Sequence, residues 1–270
     1  MERHMIPNIL SIAGSDPSGG AGIQADIKSI SANGGYAMAV ITGLTAQNTR
    51  GVTSVEMVSA SMIMAQIAAL RADIDIHAVK IGMLGDVATI ETVANALEGL
   101  DVPIVLDPVM VAKGGDRLLA ADAVAALRER LLPRASVLTP NLPEAADLLQ
   151  TSEAKTLGEM RDHALQLKAM GCGAVLIKGG HLAHDMATDL LITSRGETTL
   201  PAQRFQTRNT HGTGCTLSSA LATQIGFGHA LPDAARLAKI YITGAIIAAD
   251  DLSVGKGHGP VHHFHPRTEG

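Results

Sequence analysis

The sequence ILSIA at residues 9–13 runs directly into a glycine-rich loop at residues 14–22, and helical spacing begins after that loop. Short runs rich in β-branched residues recur at wide intervals along the chain, with helical segments between them. The further runs are residues 37–42, 78–81, 104–106, 137–138 and 175–177. Repeated strand–helix–strand units require right-handed crossovers and produce a mostly parallel sheet with helices on both faces. We therefore predict an α/β fold, a three-layer α/β/α sandwich with ligands at the carboxyl ends of its strands.

The pattern changes after Lys178. Residues 185–193 and 198–205 predict a hairpin around Arg195-Gly196 that extends the sheet with antiparallel strands. Two alanine-rich helices should follow at residues 216–225 and 232–249, since a proline such as the one that opens the second segment is tolerated in a first helical turn. We expect a single domain over residues 1–270, in which residues 181–206 are a candidate flap.

Composition and charge exclude several classes of protein. With 46% apolar and 17% charged residues, the chain can bury a large core and is not wholly disordered. A net charge of −5 makes nucleic acid a poor partner. The most apolar stretches, residues 61–70 and 240–249, are shorter than the ~18 residues of a membrane span, so we expect buried helices and no membrane partner. Two cysteines and the lack of a secretory signal favour the cytoplasm, with translation starting at Met1 or Met5.

The first glycine-rich loop, residues 14–22, is a candidate ligand site. Glycine lets a ligand approach the backbone closely, and the helix that begins near Gly22 directs amides toward bound polar groups. Helical side chains lean toward the N-terminus, so Asp26 is predicted to point into the same crevice. A plain turn, with Asp26 as a solvated acid of the first helical turn, is the alternative.

A second glycine-rich segment, THGTGCT at residues 210–216, precedes the first alanine-rich helix. Its consecutive amides and the helix dipole predict an anion hole, with a transferring phosphoryl group as the natural guest. Cys215 lies at the same positive helix end, where the pKa of a thiol is expected to fall. A small buried cysteine is the alternative, and it is the interpretation that we prefer for Cys172.

Polar side chains at three strand ends predict a metal and phosphate site. Asn141 and Glu144 follow one strand, Asp107 ends another and Lys178 ends a third. Oxygen ligands of this kind suit Mg²⁺, which makes few protein contacts and prefers nucleotide phosphates. Asn141 could instead cap a helix that starts with Pro-Glu, and Lys178 could be a surface lysine.

Nine motifs together resemble the hydroxymethylpyrimidine/phosphomethylpyrimidine kinases of thiamine biosynthesis, in the ribokinase-like superfamily. The motifs are SIAGSD at residues 11–16, GGAGIQAD at 19–26, TAQNT at 45–49, KIGMLG at 80–85, LDPVM at 106–110, NLPE at 141–144, KGGH at 178–181, THGTGC at 210–215 and GHGPV at 257–261. The resemblance covers nearly the whole chain. It implies a ribokinase-like fold and the use of ATP and Mg²⁺ to phosphorylate 4-amino-5-hydroxymethyl-2-methylpyrimidine to its monophosphate and then to the diphosphate.

The resemblance also implies a role for each matching residue. Substrate-binding positions are Gly14, Ala21, Asp26, Gln47, Met83 and Val109. Cys215 is the implied catalytic residue, with Gly212, Thr213 and Gly214 in the anion hole. Asn141, Glu144 and Lys178 would serve the nucleotide, and Asp107 with Glu144 the metal. Many sugar kinases of the superfamily have Gly-Ala-Gly-Asp where this chain has Gly-Thr-Gly-Cys, so the usual aspartate base is absent.

Two other functions stay open at this point. A pyridoxal or pyridoxine kinase would share the fold, but the adjacent donor and acceptor of the Gln47 amide suit an aminopyrimidine better. A pyrimidine-binding regulator that has lost phosphoryl transfer would not need Asn141, Glu144, Lys178 and Cys215. The resemblance further implies a homodimer, since relatives in the superfamily often dimerise.

Overall fold

Nine strands form one sheet in this computed structural model, which describes residues 5–111, 115–116, 118–182 and 186–265. The strands are β1 (Asn8–Ser15), β2 (Tyr36–Asn48), β3 (Gly51–Met57), β4 (Ala78–Ile81), β5 (Ile104–Leu106), β6 (Val137–Leu138), β7 (Val175–Ile177), β8 (Asp189–Thr193) and β9 (Gly196–Leu200). Their order across the sheet is β3-β2-β1-β4-β5-β6-β7-β8-β9. The six central strands of this order, β2-β1-β4-β5-β6-β7, are parallel to one another. At the edges β3 pairs antiparallel with β2, β8 with β7 and β9 with β8.

Eight α-helices are found among the described residues, most of them between consecutive parallel strands. They are α1 (Gly22–Ala32), α2 (Ala60–Asp73), α3 (Val87–Ala96), α4 (Ala123–Arg130), α5 (Leu142–Leu149), α6 (Leu157–Ala169), α7 (Thr213–Gly226) and α8 (Leu231–Ile247). Short 3₁₀ turns follow α4 at Leu132–Arg134 and α8 at Ala248–Asp251.

Two hydrophobic clusters, one on each face of the sheet, hold the layers together. Leu10 and Ile12 of β1 pack in the cluster that contains α2 to α6, while Ile9 packs in the cluster that contains α1, α7 and α8. Successive side chains of a strand point to opposite faces, so each central strand supplies both clusters. The predicted three-layer α/β/α sandwich is confirmed.

The strand predictions agree with the structure in the centre of the sheet and differ at its edges. The predicted strands at 78–81, 104–106, 137–138 and 175–177 coincide with β4 to β7. β3 was not predicted, because most of its residues are exposed and it carries no apolar run. The predicted hairpin exists as β8 and β9, but β9 begins at Gly196 and ends at Leu200 rather than spanning 198–205. The predicted start of that hairpin, Asp185, and the alternative start at Met1 lie outside the described residues.

The prediction of two buried helices is only half right. In α2 the buried residues are Ile63 and Ile67, whereas Met62 on the other face is 54% exposed. In α8 Tyr241 is buried but Ile240 is 68% exposed. Each helix covers the sheet with one face, so its remaining apolar side chains stay in solvent despite the hydrophobic sequence. Within the described part of the chain, no helix combines the length and hydropathy needed to cross a bilayer.

Candidate active site

A cavity of about 800 Å³ opens where the parallel strands end and α1 and α7 begin. Ser15 at the end of β1 and Asp107 directly after β5 lie on its wall, and Lys178 follows β7 there. Every predicted site residue except Asp26 lines this cavity. Those residues are Gly14, Ala21, Gln47, Met83, Asp107, Val109, Asn141, Glu144, Lys178, Gly212, Thr213, Gly214 and Cys215. Parallel strands therefore gather these distant sequence motifs at one edge of the sheet.

The first glycine-rich loop packs closely against its surroundings at Gly14 and Gly22. A Cβ on Gly14 would lie 2.6 Å from Met83 Sδ, and a Cβ on Gly22 would collide with the Gly14 carbonyl oxygen. Gly22 also has a φ of +55°, a backbone conformation that favours glycine. The backbone N–H of Gly22, the first residue of α1, acts to lower the pKa of the Cys215 thiol. The loop thus brings the start of α1 against the start of α7.

Asp26 does not face the cavity, which corrects the prediction. Its carboxylate has no solvent exposure and accepts hydrogen bonds of 2.6 Å from Ser11 and 2.8 Å from Ser219. Lys80 Nζ lies 2.8 Å from both carboxylate oxygens. The alternative of a solvated acid is wrong as well. The lean of a helical side chain predicts a direction, but the partners that capture Asp26 come from β1, β4 and α7.

Lys80 is a charged residue of the site region that sequence reasoning missed. Burial alone would lower the pKa of its ammonium, but the attraction of Asp26 outweighs burial and the pKa lies above its usual range. The available signals were its place in the KIGMLG motif and its position inside the otherwise apolar strand AVKI. A charge at such a position needs a buried partner.

The second glycine-rich segment starts α7 at Thr213, three residues earlier than predicted. Gly212 precedes the helix with a φ of +78°, and a Cβ there would collide with the Gly20 carbonyl oxygen. The first turn contains Thr213, Gly214 and Cys215, whose N–H groups have no acceptor within the helix itself. A Cβ on Gly214 would lie 3.2 Å from Lys178 Nζ. The helix start and the lysine therefore face the same corner of the cavity.

The Cys215 thiol does not have the lowered pKa that its place at a helix start predicts. Burial raises its pKa to about 11, although Lys80 and the Gly22 amide act in the opposite direction. A helix start favours the thiolate, but loss of water around the partly buried thiol penalises the charged form more strongly. Cys172 is buried as expected, and burial raises its pKa to about 11 too.

Lys178 lies between two carboxylates on the wall of the cavity. Its Nζ is 2.8 Å from Asp107 Oδ1 and 3.7 Å from Glu144 Oε2, and its side chain is 14% exposed. It is not a surface lysine. Burial raises the pKa of Glu144 to about 7, even though Lys178 stabilises its charged form. The two carboxylates form a corner that already accommodates one positive charge.

The Asn141 and Glu144 side chains close a capping box at the start of α5. Asn141 Oδ1 accepts from the Glu144 N–H and Glu144 Oε2 accepts from the Asn141 N–H, each at 2.8 Å. The capping alternative is therefore confirmed. It does not remove either side chain from the cavity, because both residues also line its wall. Capping fixes their orientation toward Lys178.

Comparison with known proteins supplies the family. The family model described as phosphomethylpyrimidine kinase matches residues 16–262. The chain belongs to this family. It is 52% identical over 259 residues to the hydroxymethylpyrimidine/phosphomethylpyrimidine kinase of Escherichia coli K12, covering 96% of this chain and 97% of that protein. It is 54% identical over 256 residues to the protein of the same name from Rhizobium meliloti 1021, with 95% and 96% covered.

Solved structures of two kinds of kinase have the same fold as this chain. A phosphomethylpyrimidine kinase from Clostridium difficile 630 superposes with a TM-score of 0.79 at 40% identity, covering 89% of this chain and 99% of that one. The ADP complex of Bacillus subtilis pyridoxal kinase superposes with a TM-score of 0.87 at 35% identity, with 96% and 98% covered. The ribokinase-like fold predicted from the motifs is confirmed.

In this member of the phosphomethylpyrimidine kinase family, the GHGPV motif and the histidines after it contact the segment that starts α7. In the structure the His211 N–H donates to the Gly259 carbonyl, and His263 Nε2 lies 3.0 Å from Thr216 Oγ1. Burial lowers the pKa of His263 to about 4, so its ring is neutral. The segment supports the loop that starts α7.

Three further residues that line this cavity were not predicted as site residues. His211 Nε2 lies 2.7 Å from Asp16 Oδ2, and both residues line the cavity. Lys239 of α8 also lines it, with Nζ 2.7 Å from Asp189 Oδ2. His211 and Asp16 lie within quoted motifs, so their positions were a signal. Lys239 is a single lysine in an alanine-rich helix and carried none.

Proposed function

We propose that this chain transfers phosphate from ATP to the hydroxymethyl oxygen of 4-amino-5-hydroxymethyl-2-methylpyrimidine, and then transfers a second phosphate to the monophosphate. The observation that carries the proposal is one continuous cavity. It holds Gln47 and Met83 at one side, Asp107, Glu144 and Lys178 at the other, and Cys215 with the start of α7 on its wall. Both transfers use this cavity, because the product of the first step offers its phosphate at the position that the hydroxyl held.

The pyrimidine binds against Gln47, Met83 and Val109. The Gln47 amide offers a donor and an acceptor side by side, which matches the ring nitrogen and the exocyclic amine of an aminopyrimidine. Met83 and Val109 supply apolar surface for the ring faces. Gly14 and Ala21 bring backbone close to the ligand, since neither carries a large side chain.

The triphosphate binds at the corner formed by Asn141, Glu144 and Lys178. Lys178 neutralises phosphate charge, and the first-turn N–H groups of α7 donate hydrogen bonds to the oxygens of the transferring group. No group of three or more His, Cys, Asp or Glu side chains suited to a metal occurs among the described residues. Asp107 and Glu144 would offer carboxylate oxygens to Mg²⁺, which is held by few protein ligands and keeps several waters. When bound, Mg²⁺ supplies charge neutralisation on the phosphate oxygens.

Cys215 accepts the proton of the hydroxymethyl group in the first transfer. The substrate oxygen forms a bond to the γ-phosphorus, the bond to the leaving ADP oxygen breaks, and the proton passes to the thiolate. With a pKa of about 11, only about one thiol in 10⁴ is ionised at pH 7. A loose transition state needs little early proton removal, so a scarce thiolate suffices. The second acceptor is an ionised phosphate and needs no base.

A coupled assay of ATP consumption tests this function. It compares hydroxymethylpyrimidine, its monophosphate and pyridoxal as acceptors. We expect turnover of the first two in preference to pyridoxal, because pyridoxal lacks an adjacent ring acceptor and amine for Gln47. Strong preference for pyridoxal would support the second candidate, which the likeness to pyridoxal kinase structures favours. Binding of the pyrimidine without ATP consumption would indicate a regulator. The homodimer and the cytoplasmic location stay predictions.

A further inference from the structure

Gln47 and the side chains of Thr45, His211 and Asp16 form a chain of contacts along one wall of the cavity. Thr45 Oγ1 lies 2.8 Å from the Ser15 carbonyl oxygen and 3.2 Å from Gln47 Oε1. On the other side Gln47 Nε2 lies 3.5 Å from His211 Nε2, which in turn is 2.7 Å from Asp16 Oδ2. The direction of each hydrogen bond in this chain follows from which groups can donate.

Asp16 determines the tautomer of His211. Its carboxylate accepts from the backbone N–H groups of Ser18 and Ala21, each at 2.9 Å, as well as from the imidazole. Burial would raise the pKa of the Asp16 carboxyl, but the hydrogen bonds from His211 and Ser18 keep it below its ordinary value. An ionised carboxylate can only accept, so His211 Nε2 carries a proton and donates it to Asp16. That nitrogen then has no lone pair with which to accept from Gln47.

Thr45 determines which atom of the Gln47 amide lies on the side away from His211. A backbone carbonyl can only accept, so the single Thr45 hydroxyl proton points to the Ser15 oxygen. Thr45 Oγ1 therefore points a lone pair, not a proton, toward Gln47, and this lone pair requires a hydrogen-bond donor. A half-turn about the last side-chain bond exchanges the amide oxygen and nitrogen of a glutamine, and the network decides between them. The structure has Oε1 toward Thr45 and Nε2 toward His211, and both neighbours favour the half-turned amide instead: the Thr45 lone pair requires the amide nitrogen, and the protonated His211 Nε2 cannot accept from it.

We propose that His211, held by Asp16, and Thr45, held by Ser15, are specificity-determining residues because together they fix the orientation of the Gln47 amide. The inference rests on the proposed function. One amide N–H and one carbonyl lone pair remain for a ligand, and their order along the wall cannot reverse. The cavity then accepts a ring nitrogen acceptor beside an amine donor and rejects the same ring with donor and acceptor exchanged.

The 4-oxo analogue of the substrate is the matched probe. It keeps the ring, the methyl and the hydroxymethyl group, but its ring N–H donates where the amino compound accepts and its carbonyl accepts where the amine donates. The measured quantity is the ratio of kcat/KM for the 4-amino compound to kcat/KM for the 4-oxo compound. A site that hydrogen-bonds one pattern leaves the other unpaired, so we expect a ratio of about a hundred or more for the unchanged chain.

Three variants test whether His211 and Thr45 orient the Gln47 amide or only stabilise the fold. His211→Phe keeps a ring of similar size but cannot donate, and Thr45→Val keeps the branched shape but loses the hydroxyl. Each should lower the ratio by about tenfold or more, because a free amide can rotate to pair with either compound. Thr45→Ser retains the hydroxyl and should leave the ratio unchanged. A residue with a purely structural role would lower both rates together.

The outcomes distinguish failure of the proposed function from failure of the inference about the Gln47 orientation. If the unchanged chain does not phosphorylate the 4-amino compound, the proposed function fails. If it does, but Thr45→Val or His211→Phe keeps the unchanged ratio, the inference about orientation is overturned. Should His211→Phe not fold, the ¹⁵N spectrum of the unchanged chain replaces it. Protonation of His211 at Nε2 is expected there, and protonation at Nδ1 alone would overturn the inference.

Discussion

Lys80 and Asp26 form an ion pair with no solvent exposure on either side chain, at a nitrogen–oxygen distance of 2.8 Å. Ser219, which also bonds Asp26, lies one turn after Cys215 in α7. The pair therefore links α1 and β4 to the helix that carries the candidate catalytic cysteine. Burial of two charges is costly, and the two serines satisfy carboxylate lone pairs that the lysine alone would leave weakly paired.

Lys80→Met should lower the free energy of unfolding by about 3–5 kcal/mol, because it leaves the buried Asp26 carboxylate without its counter-charge. Urea denaturation followed by circular dichroism measures the effect. The double variant Lys80→Met with Asp26→Asn should be less destabilised, since no charge remains buried. The exposed pair between Arg236 and Asp233 provides the control, and Arg236→Met should cost about 0–1 kcal/mol. Equal losses for Lys80→Met and Arg236→Met would contradict the role given to the buried pair.

Cys215→Ala should lower kcat of the first transfer by about 10²–10⁴-fold, the usual contribution of a general base, and kcat of the second by about tenfold at most. The pKa of about 11 also predicts a pH dependence. Because the thiolate is the minor form below that pKa, the first transfer should accelerate about tenfold per pH unit between pH 7 and 9. Phosphate incorporation measured separately for each acceptor checks both expectations. An equal decrease of kcat in the two transfers would contradict the role of Cys215 as general base.

Glu144→Gln should raise the Mg²⁺ concentration needed for half-maximal activity by about tenfold or more, since a neutral amide is a weaker ligand for a hard cation. A glutamine oxygen can still accept from the Asn141 N–H, so α5 should keep its cap. Glu159→Gln is a matched control, because Glu159 accepts from the Lys155 N–H at the start of α6 and is exposed. Magnesium titrations that shift equally in the two variants would argue against Glu144 as a ligand.

His263 should make the stability of the chain depend on pH below neutrality. The folded chain keeps the ring neutral to about pH 4, whereas an unfolded histidine takes up a proton near pH 6.5. Stability from this group is therefore complete above pH 6.5 and falls with the pH to about 4, by up to about 3 kcal/mol. Urea unfolding at pH 7 and pH 4.5 should show a smaller pH effect in His263→Gln than in the unchanged chain. The exposed His229→Gln is the control, and a reduction of the same size there would refute the assignment.

The sequence was most informative where structure depends on local pattern. β4 to β7 have the predicted bounds because strands buried on both faces are continuous apolar runs. β3 escaped prediction because it lies at the exposed edge. Most residues that line the cavity were also predictable, since polar and charged side chains at the carboxyl ends of parallel strands lie along one edge of the sheet. The orientation of Asp26 and the pKa of Cys215 were wrong because both depend on burial by elements far away in the sequence.

The partners Asp16 and His211 are separated by 195 positions along the chain, and Ser219 lies 193 positions from Asp26. Closing so large a separation is slow, since the entropy of the intervening chain must be given up before the contact stabilises anything. During synthesis the first glycine-rich loop emerges long before its partners exist. The cavity therefore cannot be complete until α7 has been synthesised and docked against α1, so chemical competence depends on a late part of the chain.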